Sequence, residues 1–274
     1  MADQTAQYSM IGVAGRRIRA AEWNGDADPA RPPLLLLSGI GMNLELFDPV
    51  AAALPDRRIV SFEMPGIGKS PDPFVPYTMA TMALTTAAML DHFGIEQADV
   101  LGMSWGGALA QQFAFQHRQR TGKLVLVATT AGATMMPGNL SMLRHLLDPR
   151  EYTVDKTLRR NLAALYAGGG SDEPVSLNAA RPPSPLGWAY QLAAIGTWSS
   201  LPFLRMLDMP VMVMGGEDDQ IVPPCNIHLL ASTIPGARLE MFERGGHLFL
   251  LSQRARFAEL VEDFLNSPQE CKTA

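Results

Sequence analysis

The chain has 274 residues, of which 47% are hydrophobic and 18% charged, and its formal net charge is −5. This composition is typical of a folded globular protein and excludes a largely disordered chain. The acidic balance, with no run of Lys or Arg, excludes an electrostatic surface for nucleic acid.

Short β-rich runs alternate with helical stretches along the chain. Residues 8–13 and 16–23 flank Ala14-Gly15 and predict an antiparallel hairpin at a sheet edge. Several later runs are apolar throughout, which is typical of strands with both faces buried in a parallel sheet. These six further strands are predicted at residues 34–38, 58–62, 99–103, 123–128, 210–214 and 238–242.

The segments between the strands supply the helices. Residues 77–93 have apolar side chains at helical spacing and end at Gly94, a favourable C-terminal cap. Residues 105–117 and 254–265 predict two more helices. A hairpin followed by repeated βα units predicts an α/β fold, with a mostly parallel eight-stranded sheet and helices on both faces.

One long region breaks this alternation. Residues 133–207 contain no strand pattern, and Pro137-Gly138, Gly168-Gly169-Gly170 and Pro182-Pro183 punctuate helical pieces. The region is too long for an ordinary crossover connection. We therefore expect a core formed by residues 1–132 and 208–274, with a helical cap inserted at 133–207.

A candidate nucleophile lies between a predicted strand and a predicted helix. Gly102-Met103-Ser104-Trp105-Gly106 has the G-x-S-x-G pattern of a nucleophile elbow, in which a strained turn exposes a serine. Glycines two residues before and after the serine remove side chains that would collide at so sharp a turn. The alternative is a glycine-rich turn with an incidental serine, which the strand–turn–helix context disfavours.

An acid and a base follow two later strands. Asp218 and Asp219 come just after residues 210–214, and His247 follows residues 238–242. Alone, each is more simply explained as a loop residue, and chemistry does not choose between the two aspartates. Together with Ser104 they occur in the order Ser, Asp, His, each after a strand, which is the order in α/β-hydrolases. The sequence therefore predicts an α/β-hydrolase fold with a catalytic triad.

Acyl transfer also needs donors for the developing oxyanion. The N–H of Trp105, the residue after the nucleophile, is one expected donor. The loop Ser38-Gly39-Ile40-Gly41 follows an early strand, and Ile40 N–H is the expected second donor. A plain glycine turn is the alternative for this loop. Most hydrolases of this fold carry histidine where Ser38 stands.

No cofactor or metal is predicted. Gly66-Ile67-Gly68-Lys69-Ser70 ends like a phosphate-binding loop, but Glu63 stands where its first glycine is required. No His or Cys pair has metal-ligand spacing. Cys225 and Cys271 form no disulfide framework, residues 1–7 lack the pattern of a secretory signal, and no apolar run could span a bilayer. These features predict a cytoplasmic protein, while its oligomeric state is left open.

Wider blocks resemble one family within this superfamily, the intracellular poly(3-hydroxyalkanoate) depolymerases, especially those acting on medium-chain-length polyesters. The similar blocks are Ser104 to Ala114, Gly39 to Leu46, Ala131-Gly132-Ala133 with Pro137-Gly138, and Gly245 to Leu250. The resemblance runs from Tyr8 to Phe264. It implies Ser104 as nucleophile, Asp219 rather than Asp218 as acid, and His247 as base. Ser38 departs from the family, where asparagine is expected.

The resemblance implies hydrolysis of stored polyester by an enzyme of the cytoplasm that works at granule surfaces. Flexible and flat apolar side chains of the cap suit an alkyl-chained substrate. The candidates are Met135, Met136, Trp188, Tyr190 and Trp198, and the alternative is that they pack the cap's own core. Alternative hypotheses for the function are a carboxylesterase of small soluble acyl esters, a C–C bond hydrolase, and a non-catalytic ligand receptor on the same fold.

Overall fold

A computed structural model describes residues 6–13, 15–139, 181 and 183–268. Eight strands form one sheet in the order β1-β2-β4-β3-β5-β6-β7-β8. They are β1 (Gln7–Val13), β2 (Arg16–Trp23), β3 (Leu34–Leu37), β4 (Ile59–Phe62), β5 (Ala98–Met103), β6 (Thr121–Val127), β7 (Val211–Gly216) and β8 (Arg238–Phe242). Strand β2 is antiparallel to both neighbours, and all other neighbouring pairs are parallel. The predicted eight-stranded, mostly parallel sheet is confirmed.

Helices cover both faces of this sheet. In the part of the chain described they are α1 (Asp48–Ala52), α2 (Met79–His92), α3 (Trp105–Gln116), α4 (Pro185–Gly196), α5 (Pro224–Thr233), α6 (Phe249–Ser252) and α7 (Arg254–Asn266). Short 3₁₀ turns occupy Leu44–Phe47, Arg118–Arg120 and Leu204–Met206. The predicted helices correspond to α2, α3 and α7, whereas α1, α5 and α6 are not evident from the sequence pattern.

The four leucines of β3 illustrate how the sheet is covered. Leu35 and Leu37 join a core cluster with side chains of α2 and α3. Leu34 and Leu36 join a second cluster with side chains of α1, α6 and α7 on the opposite face. Successive side chains of a strand point to opposite faces, so burial on both sides requires an uninterrupted apolar run. Each buried leucine contributes about 1.5–3 kcal/mol relative to an exposed one.

The strand order decides which loops can meet. Strands β3, β5, β6, β7 and β8 are consecutive parallel neighbours, so their carboxyl ends lie along one edge of the sheet. The loops that follow β3, β5, β7 and β8 therefore converge at that edge, which is where open α/β sheets form their sites.

No described helix is long and apolar enough to cross a bilayer.

Part of the predicted cap is described. It includes residues 133–139, helix α4 and the turn Leu204–Met206, and Gly132 forms an isolated antiparallel bridge with Ser199. Residues 140–180 and 182 of the predicted cap lie outside the described residues. The cap and its boundaries at 133 and 207 therefore stay a prediction.

Candidate active site

Ser104 lies at the sharp turn between β5 and α3. Its backbone has φ 54° and ψ −119°, a strained combination for a residue with a side chain. A Cβ on Gly102 would collide with the carbonyl oxygen of Gly106, and a Cβ on Gly106 would collide with the carbonyl oxygen of Leu37. Both glycines of the pattern are thus required by main-chain approaches that leave no room for a methyl group.

Neighbouring elements hold the strained residue in place. The N–H of Ser104 donates to Val127 O at the end of β6, at 2.8 Å. The Ser104 carbonyl oxygen accepts from the Thr129 hydroxyl at 2.6 Å and from the Gly107 N–H at 2.9 Å. These bonds stabilise a backbone conformation that would otherwise relax, so the serine side chain remains presented at the sheet edge.

Asp219 and His247 meet on the loops that follow β7 and β8. His247 Nδ1 lies 2.8 Å from Asp219 Oδ2, and the side chains are 9% and 1% exposed. Asp219 Oδ1 accepts the N–H groups of Ile221 at 2.8 Å and Val222 at 2.9 Å. Because an ionised carboxylate only accepts hydrogen bonds, Nδ1 is the donor, which leaves Nε2 of His247 free to take up a proton.

Asp218 has a different environment. It is exposed, and its backbone N–H donates to Gly245 O at 2.9 Å. Glu217 N–H donates to Phe242 O at 3.0 Å, so two main-chain bonds tie the aspartate loop to the histidine loop. The tertiary structure thus distinguishes two adjacent aspartates that sequence chemistry leaves equivalent: Asp219 lies under the imidazole and Asp218 faces solvent.

The loop after β3 lies beside the nucleophile. A Cβ placed on Gly39 would lie 3.5 Å from the Cβ of Ser104. Trp105 is the first residue of α3, and the first N–H groups of a helix have no acceptor within it. Ser38, the departure from the family pattern, is 1% exposed. The elements that carry the expected donors Ile40 and Trp105 are therefore adjacent to Ser104.

Gln191 of α4 is not among the residues predicted from the sequence, and it contacts both segments that carry the expected donors. Its side-chain Oε1 accepts the N–H of Gly41 at 2.9 Å, and its backbone oxygen accepts Trp105 Nε1 at 2.8 Å. The residue is fully buried. The sequence feature that indicates its burial is helical spacing, because Gln191 shares a buried face with Trp188, three residues earlier, and Ala194, three residues later.

The five candidate substrate-binding side chains occupy different environments. Trp188 is 3% exposed and packs against Gly41, where an added Cβ would lie 2.6 Å from the indole ring. Tyr190 packs edge-on to Tyr77, with ring centroids 6.1 Å apart. Trp198 Nε1 donates to Gln112 Oε1 at 2.7 Å. Their substrate-binding roles stay predictions, and these contacts of Tyr190 and Trp198 join the predicted cap to residues of the predicted core.

The two methionines lie on the chain segment that leads into the predicted cap. Met135 is half-buried, and the Met136 side chain is 60% exposed. The Met136 backbone is held by Asn226 of α5, whose Oδ1 accepts the Met136 N–H and whose Nδ2 donates to its carbonyl oxygen, both at 2.9 Å. Asn139 N–H donates to Gln220 O at 2.8 Å, next to Asp219. The start of the predicted cap is thus bound to the aspartate loop.

The glycine turn that resembles a phosphate-binding loop encloses a carboxylate. Glu63 Oε2 accepts the N–H groups of Lys69 at 2.7 Å and Ser70 at 3.1 Å. Arg19 Nη1 donates to Glu63 Oε1 at 2.9 Å. A buried side chain of the protein therefore occupies the main-chain donors that a phosphate would need. Among the described residues, no cluster of three or more His, Cys, Asp or Glu could hold a metal ion.

The family profile described as "alpha/beta hydrolase fold" matches residues 32–253. A poly(3-hydroxyalkanoate) depolymerase from Ectopseudomonas oleovorans is 39% identical over 268 residues, covering 96% of this chain and 94% of that protein. A 2-hydroxymuconate semialdehyde hydrolase from Pseudomonas putida is 33% identical over 223 residues, covering 76% and 77%. The similarity thus extends across nearly the whole chain.

Solved structures share the architecture at lower sequence identity. An esterase from Exiguobacterium antarcticum superposes with a TM-score of 0.80 at 21% identity, covering 95% of this chain and all of that one. An enol-lactonase from Burkholderia xenovorans LB400 gives a TM-score of 0.77 at 23% identity, covering 95% and 100%. At these identities the likeness establishes the fold alone.

Proposed function

The chain belongs to the α/β-hydrolase family and is a hydrolase, and on that premise we propose that it hydrolyses the ester bonds of intracellular poly(3-hydroxyalkanoate). Ser104 is the nucleophile, His247 the general base and acid, and Asp219 its partner. The observation that carries the proposal is the 2.8 Å contact between His247 Nδ1 and Asp219 Oδ2, on loops that converge with the elbow of Ser104.

The reaction has two halves. In the first, Ser104 Oγ attacks the ester carbonyl carbon while its proton passes to His247 Nε2, and the N–H groups of Ile40 and Trp105 stabilise the oxyanion. The ester C–O bond then breaks, and the leaving alcohol takes the proton from His247. In the second, His247 takes a proton from water, which attacks the acyl-enzyme. The bond between the acyl carbon and Ser104 Oγ then breaks, His247 returns the proton to Oγ, and a 3-hydroxy acid is released. The net change consumes one water per ester bond.

Asp219 has an electrostatic role in both halves. Its bond to Nδ1 holds the imidazole in the tautomer that leaves Nε2 as the base, and the carboxylate stabilises the imidazolium that forms. The two main-chain N–H groups on Oδ1 keep the carboxylate oriented. No proton needs to reach Asp219 in this mechanism.

The substrate assignment is supported by the relative that is 39% identical across 96% of the chain and is named a poly(3-hydroxyalkanoate) depolymerase. We include in the proposal a location in the cytoplasm at the polyester granule surface. A C–C bond hydrolase is the second candidate, because a relative with 33% identity is named a 2-hydroxymuconate semialdehyde hydrolase. The two candidates differ in the bond that breaks in the first half of the reaction, which is an ester C–O bond in the depolymerase and a C–C bond in the C–C bond hydrolase.

The test is release of 3-hydroxy acids from medium-chain poly(3-hydroxyalkanoate) granules by the whole chain, with Ser104→Ala as control. Granule hydrolysis that Ser104→Ala abolishes supports the proposal. Turnover of short p-nitrophenyl esters without polymer release would instead favour the carboxylesterase of small esters. Cleavage of a ring-fission semialdehyde with no ester turnover would favour the C–C hydrolase. A phosphonate probe that labels Ser104 without any turnover would favour a receptor.

A further inference from the structure

Gln191 connects helix α4 to both elements that carry the proposed oxyanion donors. Its side chain accepts the Gly41 N–H at 2.9 Å, and Gly41 follows Ile40 in the loop after β3. Its main-chain oxygen accepts the indole N–H of Trp105 at 2.8 Å, and Trp105 follows the nucleophile. One buried residue outside the proposed triad therefore contacts both a neighbour of Ile40 and the side chain of Trp105.

The helix that carries Gln191 is itself fixed to the core. The Ser184 N–H, at the N-terminal cap of α4, donates to Gly66 O at 2.9 Å. Gly187 lies against Gly66 so closely that a Cβ on either glycine would collide with the other. The next residue, Trp188, packs on Gly41. Because these contacts hold α4 in place, the hydrogen bond that Gly41 N–H donates to Gln191 holds the loop after β3 in a defined position.

The bonding of Gln191 is incomplete, which argues against a role in stability alone. Its Nε2 group is buried and has no acceptor among the described residues. A buried donor without an acceptor destabilises the folded state, and an apolar side chain of similar shape avoids that cost. The feature that glutamine adds over methionine is its contact with the Gly41 N–H.

We propose that Gln191 is a positioning residue for the oxyanion hole. A peptide group is planar, so fixing the Gly41 N–H also fixes the carbonyl of Ile40 and limits rotation of Ile40. Gly41 has φ 67°, and because glycine adopts many backbone conformations with little cost, the loop alone does not fix this orientation. Gln191 supplies the missing support from α4. The inference rests on the proposed function, since it assumes that Ile40 and Trp105 N–H groups stabilise an oxyanion.

The test compares Gln191→Met with Gln112→Met. Gln112 is also a buried glutamine, and its side chain accepts an indole N–H, that of Trp198, at 2.7 Å, while its amide donates to Gln116, so these bonds involve neither Gly41 nor Trp105. For p-nitrophenyl ester hydrolysis we expect kcat of Gln191→Met to fall about 10- to 100-fold with KM within about twofold, since a misplaced donor costs less than a deleted one. Gln112→Met is expected to keep kcat within about twofold of the wild-type value.

A second readout addresses the oxyanion directly. An alkylboronic acid forms a tetrahedral anion on the serine, so its Ki for Gln191→Met should weaken by the same factor as kcat. Hydrogen exchange at the Gly41 amide should accelerate in this variant alone. If Gln191→Met does not fold, Gln191→Asn keeps the amide but shortens it by one methylene, and the same losses are expected.

Each outcome has a distinct meaning. Any one of three results would overturn the inference. They are an unchanged kcat in a folded Gln191 variant, a lower kcat with an unchanged boronate Ki, and a loss of kcat in Gln112→Met equal to that in Gln191→Met. A wild-type protein that does not turn over esters, or a Ser104→Ala variant that does, would instead overturn the proposed function.

Discussion

The carboxylate of Asp219 lies 2.8 Å from the Nδ1 atom of His247, although 28 residues separate them in the chain. Both side chains are buried, and each follows a different parallel strand of the sheet. A buried charged hydrogen bond of this kind orients the imidazole more firmly than an exposed one, because water does not compete for either partner. The contact makes the two adjacent aspartates experimentally distinguishable.

Replacing Asp219 by asparagine is expected to lower kcat by about 10³- to 10⁴-fold, since the amide no longer favours the tautomer with a basic Nε2. The matched control is Asp218→Asn, which alters the exposed neighbour and should leave kcat within about twofold. The measurement is kcat on a p-nitrophenyl ester with both variants checked by thermal unfolding. Equal losses in the two variants would contradict the assignment of Asp219.

Replacing Ser104 by alanine is expected to lower turnover by about 10⁴- to 10⁶-fold and to abolish labelling by a fluorophosphonate probe, because the nucleophile is lost. The Tm should not fall, since the Ser104 main-chain bonds to Val127 and Thr129 do not involve its side chain. Ser232→Ala, on the exposed surface of α5, is the control that should retain labelling. Persistent labelling of the Ser104 variant would place the nucleophile elsewhere.

The elbow glycines are expected to tolerate no methyl group. Gly106→Ala should destabilise the fold by about 1–3 kcal/mol or more, because its Cβ would collide with the main chain of β3 at Leu37. Gly196→Ala is the control, since nothing lies within 4 Å of a Cβ there, and it should be neutral or stabilising by about 0.5–1 kcal/mol. Urea unfolding of both variants measures the difference. If Gly106→Ala has the same free energy of unfolding as the wild type, the elbow has room for a methyl group and the predicted collision with Leu37 is wrong.

Glu45, close to the loop of Ile40, is expected to make stability depend on pH. Burial alone would raise the pKa of its carboxyl, but hydrogen bonds from Arg19 and Asn43 outweigh burial and lower the pKa from 4.5 to about 2. A carboxyl with a lowered pKa in the folded state stabilises the protein above pH 4.5 and loses that contribution as the pH falls from 4.5 towards 2.

The measurement for Glu45 is the urea midpoint of the wild type and of Glu45→Gln between pH 6 and pH 3. The wild type should be the more stable protein at pH 6, and the difference in free energy of unfolding should shrink below pH 4.5, because there the Glu45 carboxyl of the unfolded chain gains a proton while that of the folded protein stays ionised. A difference that stays constant over this range would show that the Arg19–Glu45 ion pair, at 2.8 Å, does not set the pKa.

Much of the fold is predictable from local patterns. The uninterrupted leucines of β3 predict a strand buried on both faces, and Gly94, with φ 65°, ends α2 where the pattern places its end. Short helices such as α1 and α6 carry too few residues to produce a helical period, so nothing in the sequence distinguishes them from loops. Tertiary contacts supply the stabilisation that short helices lack in isolation.

The sequence by itself determined the elbow, because the G-x-S-x-G pattern occupies five consecutive residues between a predicted strand and a predicted helix, and the close approach that requires Gly102 is to Gly106 within that pattern. It also determined the order of Ser104, an aspartate and His247, each after a different strand. Only the tertiary structure decided that Asp219 faces His247 while Asp218 faces solvent, and that Gln191 reaches Gly41 across 150 residues of chain. Local sterics are encoded by neighbours in sequence, whereas a hydrogen bond between distant side chains depends on how the sheet order and helix packing bring them together.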